Sequence, residues 1–538
     1  MSQPVTTAAP GSAPGAPSAP PPGAPPAFTL RLACGLLGVL LAAMLAGLSD
    51  RLPGLALADI SGALGFSHDG ASWLNTAYSA GELSVMPFAT WCAITFSLRR
   101  FHMWMLGSTL VLAAILPFLH ALPVMIFVRA IQGFTAGALI PLLMMSALRF
   151  LPLSIRLHGL ALYAMTATFA PNIALWLASL AVDQLSDWHW IYWIMIPPGI
   201  LAFLLVAWGI PIMPPVLPRM KQGNWFGMAF GIPGLSLLVI GLDQGVRLDW
   251  FNSPLICAAF LCAAVLCTIF IISEWFHPTP FIRLQLLERR NLWLGFILFI
   301  CLLVIMSTAV VLPATILEHI QGFRLPQVAS LGLMVGLPQL VVGPLVALLL
   351  YQPWVDARKT FVLGLLCIAL SCWLNTRITD QWMTAQFTTS VLLQMIGQPL
   401  AIISLLFLAT SVVQPMEGPF VSGIINTLRA AGTVFGAALI EQISYLRGSF
   451  HSEMLLNNLG SRWPETSSSV STGQVAEWIS QQSALLSTAD IYYIFTFVTL
   501  LLIPGVLCLK YIPAPRLPAN TPPAASAPAS PSTTASNG

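Results

Sequence analysis

The chain has 538 residues, of which 57% are hydrophobic and only 8% charged, whereas a water-soluble globular protein usually carries about 25% charge. That contrast excludes a soluble globular protein. The formal charge of +3, from 22 Lys+Arg less 19 Asp+Glu, comes with no basic run able to hold a phosphate backbone, which excludes a nucleic-acid partner.

About 307 apolar residues (57% of 538) at roughly 20 per crossing of a hydrocarbon core allow a dozen or more helical spans. Barrel strands would alternate apolar and polar residues, but this chain has unbroken apolar runs such as Leu255 to Ile272. The expected class is an all-α polytopic membrane protein.

In chain order, residues 1–27 are Pro/Ala-rich with nine prolines, and 513–538 repeat that composition. Neither end can bury a core, so both tails are expected to be disordered. The first apolar run begins near Phe28 without a cationic n-region or small-residue cleavage site, and reads as a retained span. Hydropathy then places spans near 31–50, 72–95, 103–119, 123–147, 157–181, 190–209, 226–243, 254–274, 292–313, 326–349, 359–375, 385–412, 419–441 and 489–511, fourteen in all. The first of these can continue past Asp50 through Pro53. A polar stretch from Ser444 to Ser487 reads as a long outer loop, and Trp188, His189, Trp190, Tyr192 and Trp193 read as an interfacial aromatic belt. The nine cysteines all lie inside apolar runs, as small core hydrophobes do, so neither disulfides nor zinc are expected.

An even span count puts both termini on one side. Segments on that side hold 14 Lys/Arg against 6 on the other, with Arg129 and Arg429 inside spans. The positive-inside rule makes the termini cytoplasmic.

Arg129 sits in FVRAIQGFTAGALIPL, where a guanidinium at mid-depth costs about 2.5–3.5 kcal/mol on insertion scales unless it faces a partner or wet cavity. Gln132 offers it a hydrogen-bonding group, and Gly133 and Gly137 have the GxxxG spacing that lets helices approach closely. Glu82 lies mid-span among small and apolar residues, and Arg429 is likewise buried in an apolar run. Such groups line pathways or pair with one another, although Arg429 can also be read as a structural donor to neighbouring helix ends. Asp243, Asp249 and Glu318 fall at outer ends and read as interfacial.

RAIQGFTAG matches the Arg-x-x-Gln-Gly motif found in the fourth span of proton-coupled antiporters of the major facilitator superfamily. Further stretches resemble the fourteen-span drug:proton antiporter family of that superfamily: WLNTAYSAGELSVMPFATW, SDWHWIYWIMIPPG, LDQGVRLDWFNSP, PFIRLQLLERRNLWLG, INTLRAAGTVFGAAL and QQSALLSTADIYYIFTFVTLLLIP. The matches run in order from about residue 36 to 511. Two motifs depart from the family pattern. The loop after span two, TWCAITFSLRRFH, keeps only Arg99 and Arg100 of the gating motif, and span five keeps Ala170 and Pro171 but has Ala, Leu and Ser where the antiporter motif has glycines.

The resemblance implies the major facilitator fold: a six-helix bundle (28–210), two inserted spans (211–275) and a second six-helix bundle (276–512) with the 444–487 loop on the outer face. It implies proton-driven efflux of drugs or toxic amphipathic molecules across a bacterial inner membrane. Asp50, Glu82 and Arg129 would carry the proton, and Gln132, Asn426 and Arg429 would face the substrate. Gly133, Gly137, Arg99, Arg100, Pro171 and Gly432 would serve packing and gating.

Asp50 aligns with the family's first-span acid. One reading makes it a proton site, and the other a cap where Pro53 and Gly54 end the helix. No phosphate-cradling motif occurs, so the drive is the proton gradient rather than ATP, and no cofactor is expected. In a two-membraned cell a periplasmic adaptor and an outer-membrane channel would complete the route.

Rival readings are export of an endogenous anionic metabolite such as a siderophore, drawing on Arg51, Arg129 and Arg429, and a transport-inactive sensor. An enzyme would need a nucleophile–base pair or a metal cluster, and the sequence shows no H-E-x-x-H or G-x-S-x-G.

Overall fold

A computed structural model describes residues 28–152, 154–462 and 471–515. The expectation of disordered tails at 1–27 and 513–538 lies outside them, apart from 513–515, which carry no regular structure. Among the described residues regular structure is wholly helical, as lipid demands of a chain that must satisfy its own backbone groups.

The helices are α1 (Leu30–Leu55), α2 (Leu57–Leu64), α3 (His68–Phe96), α4 (Leu98–Ile115), α5 (Leu122–Gly137), α6 (Leu139–Phe150), α7 (Arg156–Ser179), α8 (Trp190–Trp193) and α9 (Ile196–Gly209). They continue as α10 (Trp225–Asp243), α11 (Pro254–Phe276), α12 (Arg290–Met306), α13 (Val311–Gln321), α14 (Leu325–Leu350), α15 (Ala357–Asn375), α16 (Thr388–Thr410), α17 (Gly418–Arg462) and α18 (Thr472–Leu507). Thirteen described helical segments are long and apolar enough to cross a membrane. Some join two helices: α5 and α6 form one segment, as do α8 and α9, and α12 and α13.

The expected second span is a 29-residue helix, α3, but it lies outside that set of thirteen. Its sequence explains this. Asn75, Thr76, Ser79, Gly81, Glu82, Ser84 and Thr90 dilute its apolar character, and it can tolerate them because it packs against α5, α10 and α17 rather than lipid. The opposite case is α11, the most apolar span, where only 22% of the apolar window is buried. A helix hydrophobic all round faces lipid on most sides.

Of the expectations on span ends, one holds and one changes. The first span continues past Asp50 through Pro53: α1 runs on to Leu55 with Pro53 inside it, against the alternative in which Pro53 and Gly54 end the helix. Most of 444–487 is helix rather than loop, because α17 extends to Arg462 and α18 begins at Thr472. The extensions are tied together where Arg447 Nε (2.6 Å) and His451 Nε2 (2.7 Å) both meet Asp490 Oδ2. Polar composition there reflects a helical hairpin with a wet surface.

In the packing, α3 runs along α5, α7 along α14, α15 along α16, and α1 along α9. The pair α10–α11 is attached through α10, which touches α3 and α17. Thr76 of α3 anchors it: its hydroxyl donates to Asp243 and accepts from Gln244 Nε2 at 2.5 Å. Asp243, expected at the interface with water, thus belongs to a helix–helix contact.

Candidate functional site

Arg129 lies halfway along α5 with no exposed surface. Its Nη1 donates to Gln132 Oε1 at 2.7 Å and to the Ser49 carbonyl at 3.3 Å. That carbonyl is available because Pro53, four residues on, has no N–H to bond it within α1. The guanidinium lies 4.3 Å from the Tyr78 ring centre and 5.9 Å from that of Tyr192, and the Tyr78 hydroxyl donates to the Ala46 carbonyl at 2.9 Å. A buried cation is thus held by a carbonyl, an amide and two aromatic faces. Tyr192, expected in the interfacial belt, turns inward and is 3% exposed.

Glycines bring α3 this close. A Cβ on Gly133 would sit 2.0 Å from the Tyr78 carbonyl oxygen, and one on Gly137 would sit 2.7 Å from Glu82 Cα. Gly81 meets the Ala130 carbonyl in the same way from the other side.

One turn from Tyr78, Glu82 is buried at 9% exposure with no hydrogen bond or ion pair among the described residues. Asp50, Arg429, Arg51 and Arg129 all lie within electrostatic reach of it. Asp50 is tied to the same helix face, accepting from Ser79 Oγ at 3.4 Å, and it pairs with Arg51 at 3.4 Å. Residues 79 and 82 are neighbours on a helix surface, so Asp50, Glu82 and Arg129 form one neighbourhood of α1, α3 and α5.

Asn426 and Arg429 form a second cluster, between α17 and α7. The Tyr163 hydroxyl donates to Asn426 Oδ1 at 2.8 Å, Asn426 Nδ2 donates to the Ser422 carbonyl at 2.8 Å, and Arg429 Nη1 reaches Thr166 Oγ1 at 3.5 Å. Gln132 belongs with Arg129 and has no hydrogen bond to this cluster among the described residues.

The remaining positions lie elsewhere. Arg99 and Arg100 open α4, where the expected gating loop is reduced to Ser97, held at φ 76°. A Cβ on Gly432 of α17 would lie 3.2 Å from Ile300 Cγ2 of α12. Pro171 lies inside α7, and the glycine for close approach there is on the facing helix: a Cβ on Gly332 of α14 would lie 2.2 Å from the Asn172 carbonyl oxygen. Gly332 and Gly336 have GxxxG spacing, a legible signal that the reading of span five passed over.

Sequence reasoning also missed a bridge at the far end of α7, where Arg324 meets Asp183 at 3.4 Å and Asp59 at 3.8 Å. It missed a buried file of Gln339, Gln398 and Gln394, linked at 2.9 and 3.4 Å, and the buried Glu274 of α11. At the opposite end of α7 from Asp183 lies a cavity of about 220 Å³, lined among others by Leu148, Arg156, Leu160, Phe407 and Thr410. Asp50, Glu82 and Arg129 do not line it.

The chain resembles the probable multidrug resistance protein EmrY of Escherichia coli, with 28% identity over 63% of this chain and 65% of EmrY, just under two thirds of that relative. It also resembles the multidrug export protein EmrB of Escherichia coli, with 23% identity over 86% of this chain and 92% of EmrB. The crystal structure of the human organic anion transporter MFSD10 (TETRAN) superposes with a TM-score of 0.52, covering 87% of this chain and 99% of that one at 14% identity, a likeness of fold. The family model described as Major Facilitator Superfamily matches residues 39–437. The all-helical fold and that match agree, and this multi-pass membrane protein belongs to the Major Facilitator Superfamily.

Proposed function

We propose that the protein is a proton-driven exporter of amphipathic small molecules across the bacterial inner membrane. The observation that carries this reading is Glu82, a buried carboxylate with no dedicated cation partner, set among Asp50, Arg129 and Arg429. A carboxylate in a partly dry site can load and release a proton, and each charge moved through 100 mV supplies about 2.3 kcal/mol. The multidrug names of the EmrY and EmrB relatives support the cargo class.

In this reading α3 joins the thirteen to make fourteen spans, both termini are cytoplasmic, and two six-helix halves rock about the Asn426–Arg429 cluster with α10–α11 inserted between them. The Arg324 bridge then closes the outer side, while the cavity beside Arg156 opens to the cytoplasm. A periplasmic adaptor and an outer-membrane channel would extend the route in a two-membraned cell.

An anionic cargo is the second reading, favoured by nitrogens of Arg129 (Nε, Nη2), Arg156 (Nε) and Arg429 (Nε) that have no hydrogen-bond partner among the described residues.

The test uses everted membrane vesicles energised by respiration, in which export appears as uptake, with uptake of an amphipathic dye and of an anionic one followed with and without an uncoupler. Dye movement that stops with the uncoupler, and is lost in Glu82→Gln at normal expression, is the expected result. Uncoupler-insensitive transport, or full transport by Glu82→Gln, would remove this carboxylate from the proton path.

A further inference from the structure

The segments flanking the inserted pair enclose a second cavity, of about 300 Å³, separate from the cluster around Glu82. Arg219 and Gln222 line it from the segment before α10, Thr279 and Arg283 from the segment after α11, and Phe420 from the start of α17. Both arginines are braced on aromatic rings, Arg219 at 5.5 Å from the Trp91 ring centre and Arg283 at 4.7 Å from that of Phe420.

Neither arginine has a carboxylate in ion-pair contact among the described residues. The acids nearby are already engaged. Glu417 is gripped by both terminal nitrogens of Arg289 at 2.7 Å each, although the charge of Arg283 still reaches it. Glu274 accepts from Asn224 Nδ2 at 2.9 Å and from the Ile282 N–H at 3.0 Å. Two planar guanidinium groups without carboxylates, facing one cavity, have the donor geometry for a phosphate oxyanion.

The surroundings select the kind of phosphate. Ile212, Leu217, Phe226 and Phe276, at the ends of α9, α10 and α11 and in the segment between them, are 69%, 53%, 60% and 79% exposed. Trp225 and Trp275, exposed on the same ends of α10 and α11, belong to the residue type that marks headgroup depth in a bilayer. Ile212, Leu217, Phe226 and Phe276 all lie within four residues of a lining residue in the chain, Val216, Gln222 or Pro278, so a free phosphate would use the arginines and leave them bare, whereas a phospholipid would cover both, its phosphate on the arginines and its chains over the apolar residues. We infer that this cavity binds the headgroup of an anionic phospholipid.

The test is native mass spectrometry on the delipidated full-length protein in detergent, titrated with phosphatidylglycerol, phosphatidylcholine or inorganic phosphate. Phosphatidylglycerol should bind at least tenfold more tightly than phosphatidylcholine and should resist displacement by inorganic phosphate. Arg219→Gln combined with Arg283→Gln should bring it down to the phosphatidylcholine level, while the exposed control Arg290→Gln stays within twofold of wild type.

Unchanged phosphatidylglycerol binding in the double variant overturns the site, and displacement by equimolar inorganic phosphate overturns the lipid in favour of the free ion. Should the double variant not fold, a photoactivatable phosphatidylglycerol on the wild-type protein decides. Labelling within 212–226 or 276–283 supports the site, and labelling only elsewhere overturns it.

Discussion

Holding a guanidinium at mid-depth requires acceptors that water cannot supply, and Arg129 finds them through a proline in another helix. Pro53 leaves the Ser49 carbonyl unbonded within α1, and Arg129 Nη1 takes it. Arg129→Lys keeps the charge but loses the planar fork, so it should insert normally and transport about tenfold or more slowly, in line with the loss of a charged hydrogen bond. Arg129→Ala should be inactive, and vesicle transport at matched expression measures both. Wild-type rates in Arg129→Ala would leave the residue structural at most. The Arg129–Gln132 contact was legible because three-residue spacing puts both side chains on one helix face. The Ser49 contact was not, because a proline followed by glycine reads equally as a stop and as a kinked continuation, and neither says which side chain takes the freed carbonyl. Tyr192 was hidden for a related reason: in a run of Trp and Tyr, sequence cannot tell which ring turns inward.

At the scale of the helices, backbone proximity decides what a substitution costs. A side chain at Gly133 would meet the Tyr78 carbonyl of α3, which cannot swing aside as a flexible side-chain end can. Gly133→Val should therefore destabilise the protein by about 1–3 kcal/mol, as overpacking does, read as an earlier unfolding midpoint in detergent. Gly448, whose added Cβ would meet nothing within 4 Å, is the control.

A second expectation concerns the ends of α12 and α17, joined by the Arg289–Glu417 pair. The Arg289 hydrogen bonds hold the Glu417 carboxyl below its usual range. A depressed carboxyl contributes stability that is present above its unfolded value, near pH 4.3, and lost as pH falls through the folded one. Glu417→Gln should lower the midpoint at pH 7, by no more than about 1 kcal/mol for a partly exposed pair, and the difference from wild type should shrink as pH falls below the unfolded value and through the folded one. A pH-independent difference would assign the effect to packing. Most helices were legible as apolar runs. The exception in kind was the stretch after Ser444, where polar residues on a solvated helix look like loop residues, and only the pairing of Arg447 and His451 with Asp490 reveals the hairpin.

For the whole molecule, the orientation and the crossing by α3 can be tested together. Alkaline phosphatase fused after Phe66 or after Asn457 should be active, and fused after Arg100 or after Gly223 inactive. Equal activity at Phe66 and Arg100 would mean that α3 does not cross. The two halves of the molecule also meet the solvent unequally, because α17 has 45 residues. At a rise of about 1.5 Å per residue it is roughly 68 Å long, more than twice the roughly 30 Å hydrocarbon thickness. A rigid rod of that length is a lever arm. If the halves rock as proposed, a few degrees of tilt at the Asn426–Arg429 level would displace the far end of α17 several times more than the pivot, and the pairing of Arg447 and His451 with Asp490 would carry that stroke into α18.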